Sequence, residues 1–159
     1  MTTINSARRA FITGRAAGNK RHVPWAIAAF EDACSRCGDC VRACEEAILA
    51  SGDGGFPTVD FTRGGCSFCG ACAAACRDGA IDMRLGRPWR LRVSIGDECL
   101  SARGTTCRAC GDVCEERAIR FQLQIGGRAI PSVNASLCNG CGSCIAICPT
   151  RVIQIEETA

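Results

Sequence analysis

The chain has 159 residues, of which 47% are hydrophobic, yet it holds only six Phe, two Trp and no Tyr. Bulky side chains are too few for an ordinary core, so the fold needs staples of another kind, and sixteen cysteines are the obvious ones. The formal charge of +3 comes from nineteen basic residues, all arginine except Lys20, and no apolar run approaches membrane-spanning length. The thiol load leaves three readings, namely disulfides, zinc and iron-sulfur clusters.

Residues 1–30 read as a basic N-terminal arm. A secretory signal needs an unbroken apolar stretch, and the sequence after Ile12 turns at once to Thr13-Gly14-Arg15 and then Lys20-Arg21-His22. The expectation is a cytoplasmic chain, where thiols stay reduced and disulfide scaffolds are rare. Within the arm, Ala7-Arg8-Arg9-Ala10-Phe11-Ile12 resembles a twin-arginine export signal that lacks its apolar region, so Arg8 and Arg9 are candidates for partner docking instead. Trp25, beside Pro24, reads equally as a docking anchor or as packing.

One unit then recurs four times. The first is Cys34, Cys37, Cys40, Cys44; the second Cys66, Cys69, Cys72, Cys76; the fourth Cys138, Cys141, Cys144, Cys148. All three have the C-x2-C-x2-C-x3-C spacing of bacterial ferredoxins. The third is irregular, with seven residues between Cys99 and Cys107. A Gly follows the second Cys of the regular units, which would make Cys110 the second ligand; that register leaves Val113 and Arg117 where thiols are needed. Cys99, Cys107, Cys110 and Cys114 are therefore ligands one to four, with an insertion in the loop. A small-apolar pair follows each unit: Ala47-Ile48, Ala80-Ile81, Ala118-Ile119 and Val152-Ile153, one position early in the first.

The spacing lets a tight loop wrap three corners of a cube while its amides face the sulfides, with Gly supplying positive φ. The stretches Ala73-Ala74-Ala75 and Ile145-Ala146-Ile147 suit short helices that carry the fourth Cys one turn on. In two-cluster ferredoxins the fourth Cys ligates the other cluster. Pairing unit one with two and three with four then predicts four [4Fe-4S] clusters: Cys34, Cys37, Cys40 and Cys76; Cys66, Cys69, Cys72 and Cys44; Cys99, Cys107, Cys110 and Cys148; Cys138, Cys141, Cys144 and Cys114. A two-with-three pairing is excluded only because it strands units one and four. If each cluster with its thiolates carries about −2, the loaded chain has a net charge of about −5, which weakens a nucleic-acid reading of the basic residues.

Phe56–Phe61, Trp89–Ile95 and Ile119–Ile125 read as strands, the last forming a hairpin through Gly126-Gly127 with Ala129–Val133. The fold class is α+β: two tandem bacterial-type two-cluster ferredoxin modules of short strands and helices, residues 31–86 and 87–159, meeting near Gly86 to Arg90. Zinc is disfavoured because its structural sites use separated C-x2-C pairs. No dinucleotide loop, Walker sequence or second His is present, so the reading is not an enzyme.

With these motifs in hand, residues 6–155 resemble the NapF family of ferredoxin-type proteins of the periplasmic nitrate reductase system. The likeness is carried by SARRAFITGR (6–15), GDGGFPTVDF (52–61), IGDECLSARGTTCRACGDVCEERAI (95–119) with its seven-residue gap, and SLCNGCGSCIAICP (136–149). It implies a cytoplasmic accessory protein that contacts the catalytic subunit of periplasmic nitrate reductase and assists its iron-sulfur cluster acquisition before export. The competing expectations are an electron-transfer ferredoxin of a respiratory chain and an adaptor whose clusters only hold the fold. Only Cys148 is followed by the Pro common in ferredoxin motifs; Glu45, Arg77 and Glu115 stand at the other three places.

Overall fold

The computed structural model of the chain describes residues 23–157; Arg8 and Arg9 lie outside the described residues. The helices are α1 (Phe30–Ala33), α2 (Asp39–Arg42), α3 (Ala71–Ala74), α4 (Ala109–Asp112) and α5 (Ser143–Ile147). The strands are β1 (Leu49–Ser51), β2 (Pro57–Val59), β3 (Leu91–Ile95), β4 (Ile119–Leu123), β5 (Ala129–Val133) and β6 (Ile153–Glu157). They form antiparallel pairs β1–β2, β4–β5 and β3–β6, the last with Leu91 opposite Glu157 and Ile95 opposite Ile153. Two short 3-10 turns, Asp53–Gly55 and Met83–Leu85, complete the elements. No helix among the described residues is long and apolar enough to cross a membrane.

None of these elements is self-supporting. Isolated helices need about 12 to 15 residues to persist in water, and a lone two-stranded hairpin is marginal. What fixes them is a shared core in which Ile48, Leu49, Val59, Phe61, Ile81, Leu91, Ile119 and Ile153 pack with the buried cysteines Cys40, Cys72, Cys110 and Cys144. The predicted hairpin is present with its Gly126-Gly127 turn, where φ is +89° and +78° as only glycine adopts freely. The strand expected from Trp89 begins at Leu91, and that from Phe56 shortens to Pro57–Val59.

Both halves of the chain run through the same order: entry segment, cysteine loop, hairpin, second cysteine loop, return segment. In the second half the entry is β3 and the return β6. In the first half, Ala26 bridges Ile81, the Ile27 amide donates to the Ala80 carbonyl at 3.1 Å and the Asp82 amide to the Trp25 carbonyl at 2.9 Å. This corrects the extent of the arm: residues 23–30 are the entry segment of the first half. Trp25 is only 5% exposed, its indole N–H donates to the Gly86 carbonyl at 2.9 Å and its ring meets Phe68 edge-on at 6.3 Å. Packing, rather than a free docking anchor, is therefore its role. Its partners lie more than 40 residues away in sequence, and its φ of +58° hides any strand pattern.

The small-apolar pair also needs a new register. Three residues after each fourth Cys the backbone turns left-handed, at Ala47 (φ +51°), Gly79 (+67°), Arg117 (+51°) and Arg151 (+53°). Both residues that follow are buried in the first three units, and in the fourth Ile153 is buried beside a half-buried Val152, so the first unit's pair is Ile48-Leu49 rather than Ala47-Ile48, and its apparent one-residue offset vanishes. The Ala47, Arg117 and Arg151 amides donate back to the carbonyls of Cys44, Cys114 and Cys148 at 3.0, 2.9 and 3.2 Å, closing the turn.

Candidate metal centres

All sixteen cysteines are free thiols. The third Cys of each unit is the second residue of a short helix: Cys40 in α2, Cys72 in α3, Cys110 in α4 and Cys144 in α5. That common seat, with each of the four 7 or 8% exposed, places Cys110 third in the irregular unit, Cys107 second and Cys114 fourth. The helices begin one residue before the third Cys, two positions earlier than the stretches Ala73-Ala74-Ala75 and Ile145-Ala146-Ile147 suggest, and stop short of the fourth. Gly111, which raised the competing register, has a packing reason instead: a Cβ there would come within 2.8 Å of the Phe121 ring.

The fourth Cys of each unit crosses to its neighbour's group. Cys40 is held up to about 11, first by burial and then by the charge of Cys34, with Cys72 and Cys76 adding to it. Burial lifts Cys66 to about 11 against a hydrogen bond from the Phe68 amide, and Cys72, Cys44 and Cys69 lift it further. Cys72 is raised by burial and by Cys69 and Cys44. In the second half, Cys110 rises to about 11 through burial and the neighbouring Cys99, Cys107 and Cys148. Cys144 rises to about 12 through burial and then Cys141, Cys110, Cys138 and Cys114. One cavity is lined by Cys99, Cys107, Cys110 and Cys148 together, and another of about 460 Å³ by Cys114, Cys138, Cys141 and Cys144. Cys37 and Cys69 are exposed at the outer corners of their loops.

In the second half each quartet lines a cavity of its own. Among the described residues no three Cys, His, Asp or Glu side chains converge on a point that one metal ion could fill, yet the thiols are close enough to feel one another's charge. Donors are already aimed at the sulfurs. The Ala118 amide reaches Cys114 Sγ at 3.3 Å, and the Ser143 and Thr150 hydroxyls lie 3.6 Å from Cys141 Sγ and Cys148 Sγ. At Cys148 burial raises the thiol, but the Thr150 hydroxyl and the amides of Val152, Thr150 and Arg151 outweigh it and leave the thiol lowered. Burial holds the other shifted thiols in the protonated form, and a metal group bound by them would require their protons to be released.

Thiol quartets of this shape, on loops too short to fold unaided, define an iron-sulfur protein of the ferredoxin type. The chain matches the 4Fe-4S dicluster domain family twice, over residues 33–83 and 105–152. It is 42% identical to ferredoxin-type protein NapF of Haemophilus influenzae over 171 residues, covering 99% of this chain and 97% of that protein. It is 43% identical to ferredoxin-type protein NapF of Escherichia coli K12 over 157 residues, covering 96% of each. Ferredoxin-type protein NapG of Escherichia coli K12 is 33% identical over 159 residues, covering 86% of this chain and 69% of that protein. The chain belongs to the NapF family of ferredoxin-type proteins.

Proposed function

We propose that the chain carries four [4Fe-4S] clusters, one per quartet, in two modules of which the first takes in residues 23–86 and the second residues 87–159. The observation that carries this reading is the crossing of the fourth Cys in the second half, where Cys148 lines one cavity with Cys99, Cys107 and Cys110, and Cys114 lines another with Cys138, Cys141 and Cys144; in the first half the charges of Cys76 and Cys44 reach Cys40 and Cys66 in the same sense. When bound, the clusters supply one-electron chemistry. The chain's own work is to bind them through sixteen sulfurs, to direct amides and hydroxyls at those sulfurs and to exclude water from the third Cys of each loop. Iron analysis of anaerobically purified protein tests the count, with about sixteen iron per chain expected from four cubes and about half that value sinking it.

The role we assign is that of a cytoplasmic accessory protein of the periplasmic nitrate reductase system, which meets the catalytic subunit before export and assists its cluster acquisition. Its support is a likeness to ferredoxin-type proteins NapF that runs almost end to end. Catalytic subunit produced in cells lacking this protein should be short of iron and inactive. Fully loaded, active subunit from such cells would remove the maturation role and leave electron transfer as the preferred function.

A further inference from the structure

The two halves of the molecule touch through their cysteine loops. The amide of Cys66 donates to the carbonyl of Cys141 at 2.8 Å, so a residue of the second quartet is hydrogen-bonded to a residue of the fourth. The approach depends on glycine: a Cβ on Gly65 would stand 2.8 Å from the Ser143 amide nitrogen, and one on Gly142 would run into the Phe61 ring. Trp89 seals the seam, its ring edge-on to Phe61 at 5.6 Å and to Phe68 at 5.7 Å while its indole N–H donates to the Asn139 carbonyl at 3.1 Å. The cavity that holds the fourth quartet is also lined by Cys66 and Phe68. Phe61, Cys66 and Phe68 belong to one half of the chain, and Asn139, Cys141 and Ser143 to the other.

We infer that this seam is an electronic junction, so that the clusters are wired in the order first, second, fourth, third rather than in sequence order. The inference rests on the four-quartet assignment above. Residues Gly65 and Gly142 are positioning residues: they bring the two loops to backbone hydrogen-bonding distance, which is what a short tunnelling path needs. An electron entering at the first quartet reaches the third through Cys66 and Cys141. Each step moves one electron from a reduced group to an oxidised neighbour, with no bond made or broken and no proton moved, and a low-potential chemical reductant supplies the electron.

Two full-length variants read the order directly. Cys34→Ala with Cys107→Ala strips a ligand from the first and third quartets and leaves the second and fourth intact. Cys69→Ala with Cys138→Ala does the reverse. After reduction with dithionite, electron paramagnetic resonance should show spin–spin splitting between the two remaining clusters in the first variant and loss of it in the second. Equal splitting in both, or splitting only in the second, overturns the order. If either variant loses all its iron, Gly65→Ala in the otherwise intact chain puts the same question. Weakened coupling at unchanged iron supports the junction, and unchanged coupling at unchanged iron refutes it. Wild-type iron near half the four-cube value would instead defeat the quartet assignment itself, and so is distinguishable from failure of the junction.

Discussion

The third cysteine loop and the other three reach the same end by different entries. In the first, second and fourth loops the residue before the second Cys is left-handed (Arg36 φ +64°, Phe68 +56°, Gly140 +74°), and so is the Gly after it (Gly38 +76°, Gly70 +79°, Gly142 +83°). Alternation of this kind turns successive amides inward as a nest for negative sulfur. In the third loop the residue after the second Cys is Arg108 at φ −132°, ψ 8°, and the chain arrives there from a seven-residue excursion. That excursion is anchored by the buried Ser101, whose hydroxyl donates to the Ala129 carbonyl at 2.6 Å. All four loops nevertheless leave through the same left-handed turn. The exit is what docks each unit on the core, and it tolerates no variation; the entry sets how many amides face the sulfurs, and it does.

The largest effect should erase the comparison altogether. Stripping iron with a chelator under reducing conditions removes the staples from all four loops at once. Since no helix here exceeds five residues and no sheet has more than two strands among those described, far-UV circular dichroism should collapse to that of an unfolded chain. An apo protein that keeps its native spectrum would show that the apolar core suffices alone. Next in size, Gly142→Ala should cost about 2 to 5 kcal/mol, summing the left-handed penalty and the clash with Phe61. Arg108→Gly, at the equivalent place in the third loop, should cost no more than about 1 kcal/mol, the worth of its cation–π contact with Phe121 at 5.6 Å. Thermal unfolding of the two holo variants side by side measures the difference, and equal losses would deny that the loops differ in their need for a left-handed entry.

Much of this was legible in the sequence because cysteine spacing is a local code. The regular units, the seven-residue gap after Cys99 and the hairpin at Gly126-Gly127 all follow from residues close in the chain. The pair Ala47-Ile48 is out of register in the sequence because small side chains mimic one another: an alanine occupies the left-handed turn at φ +51° and has the pattern of a first core residue. Residues 23–30 read as an arm in the sequence because their pairing partners, residues 80–88, lie far along the chain and a single bridge leaves no alternation to see. β6 has no place among the expected strands although Ile153 and Ile155 are buried between exposed neighbours, since a five-residue strand after a motif looks like a tail. The seam between halves has no sequence signature at all. Gly65 is one glycine among eighteen until Ser143 is seen against it.

Smaller changes should sharpen the contrast without breaking it. Ser101→Ala removes the anchor of the insertion and should destabilise the protein by about 1 kcal/mol. Its spectroscopic change should be confined to the cluster proposed at Cys99, Cys107, Cys110 and Cys148, because the other three loops have no such anchor; a shift in all four signals would mean that the insertion supports the whole body.

The two smallest expected effects lie at Thr150 and, below it, Ser143. The Thr150 hydroxyl sits 3.6 Å from Cys148 Sγ, the ligand proposed to pass from the fourth unit to the third quartet. A donor at a cluster sulfur stabilises the more negative, reduced state, so it raises the reduction potential. Thr150→Val keeps the shape and deletes the donor, leaving the amides of Val152, Thr150 and Arg151 at the same sulfur. A redox titration followed by electron paramagnetic resonance should then show the potential of the cluster proposed at Cys148 moving to a more negative value, with iron content and melting temperature unchanged. Because the third loop lacks the left-handed pair that gathers amides elsewhere, its cluster depends more on these exit-side donors than the others do. The equivalent test at Ser143, whose hydroxyl lies at the same distance from Cys141 Sγ but beside the left-handed Gly140 and Gly142, should move its cluster's potential by less. A larger shift for Ser143→Ala than for Thr150→Val would reverse the ranking and locate the decisive donors at the entry of the loops after all.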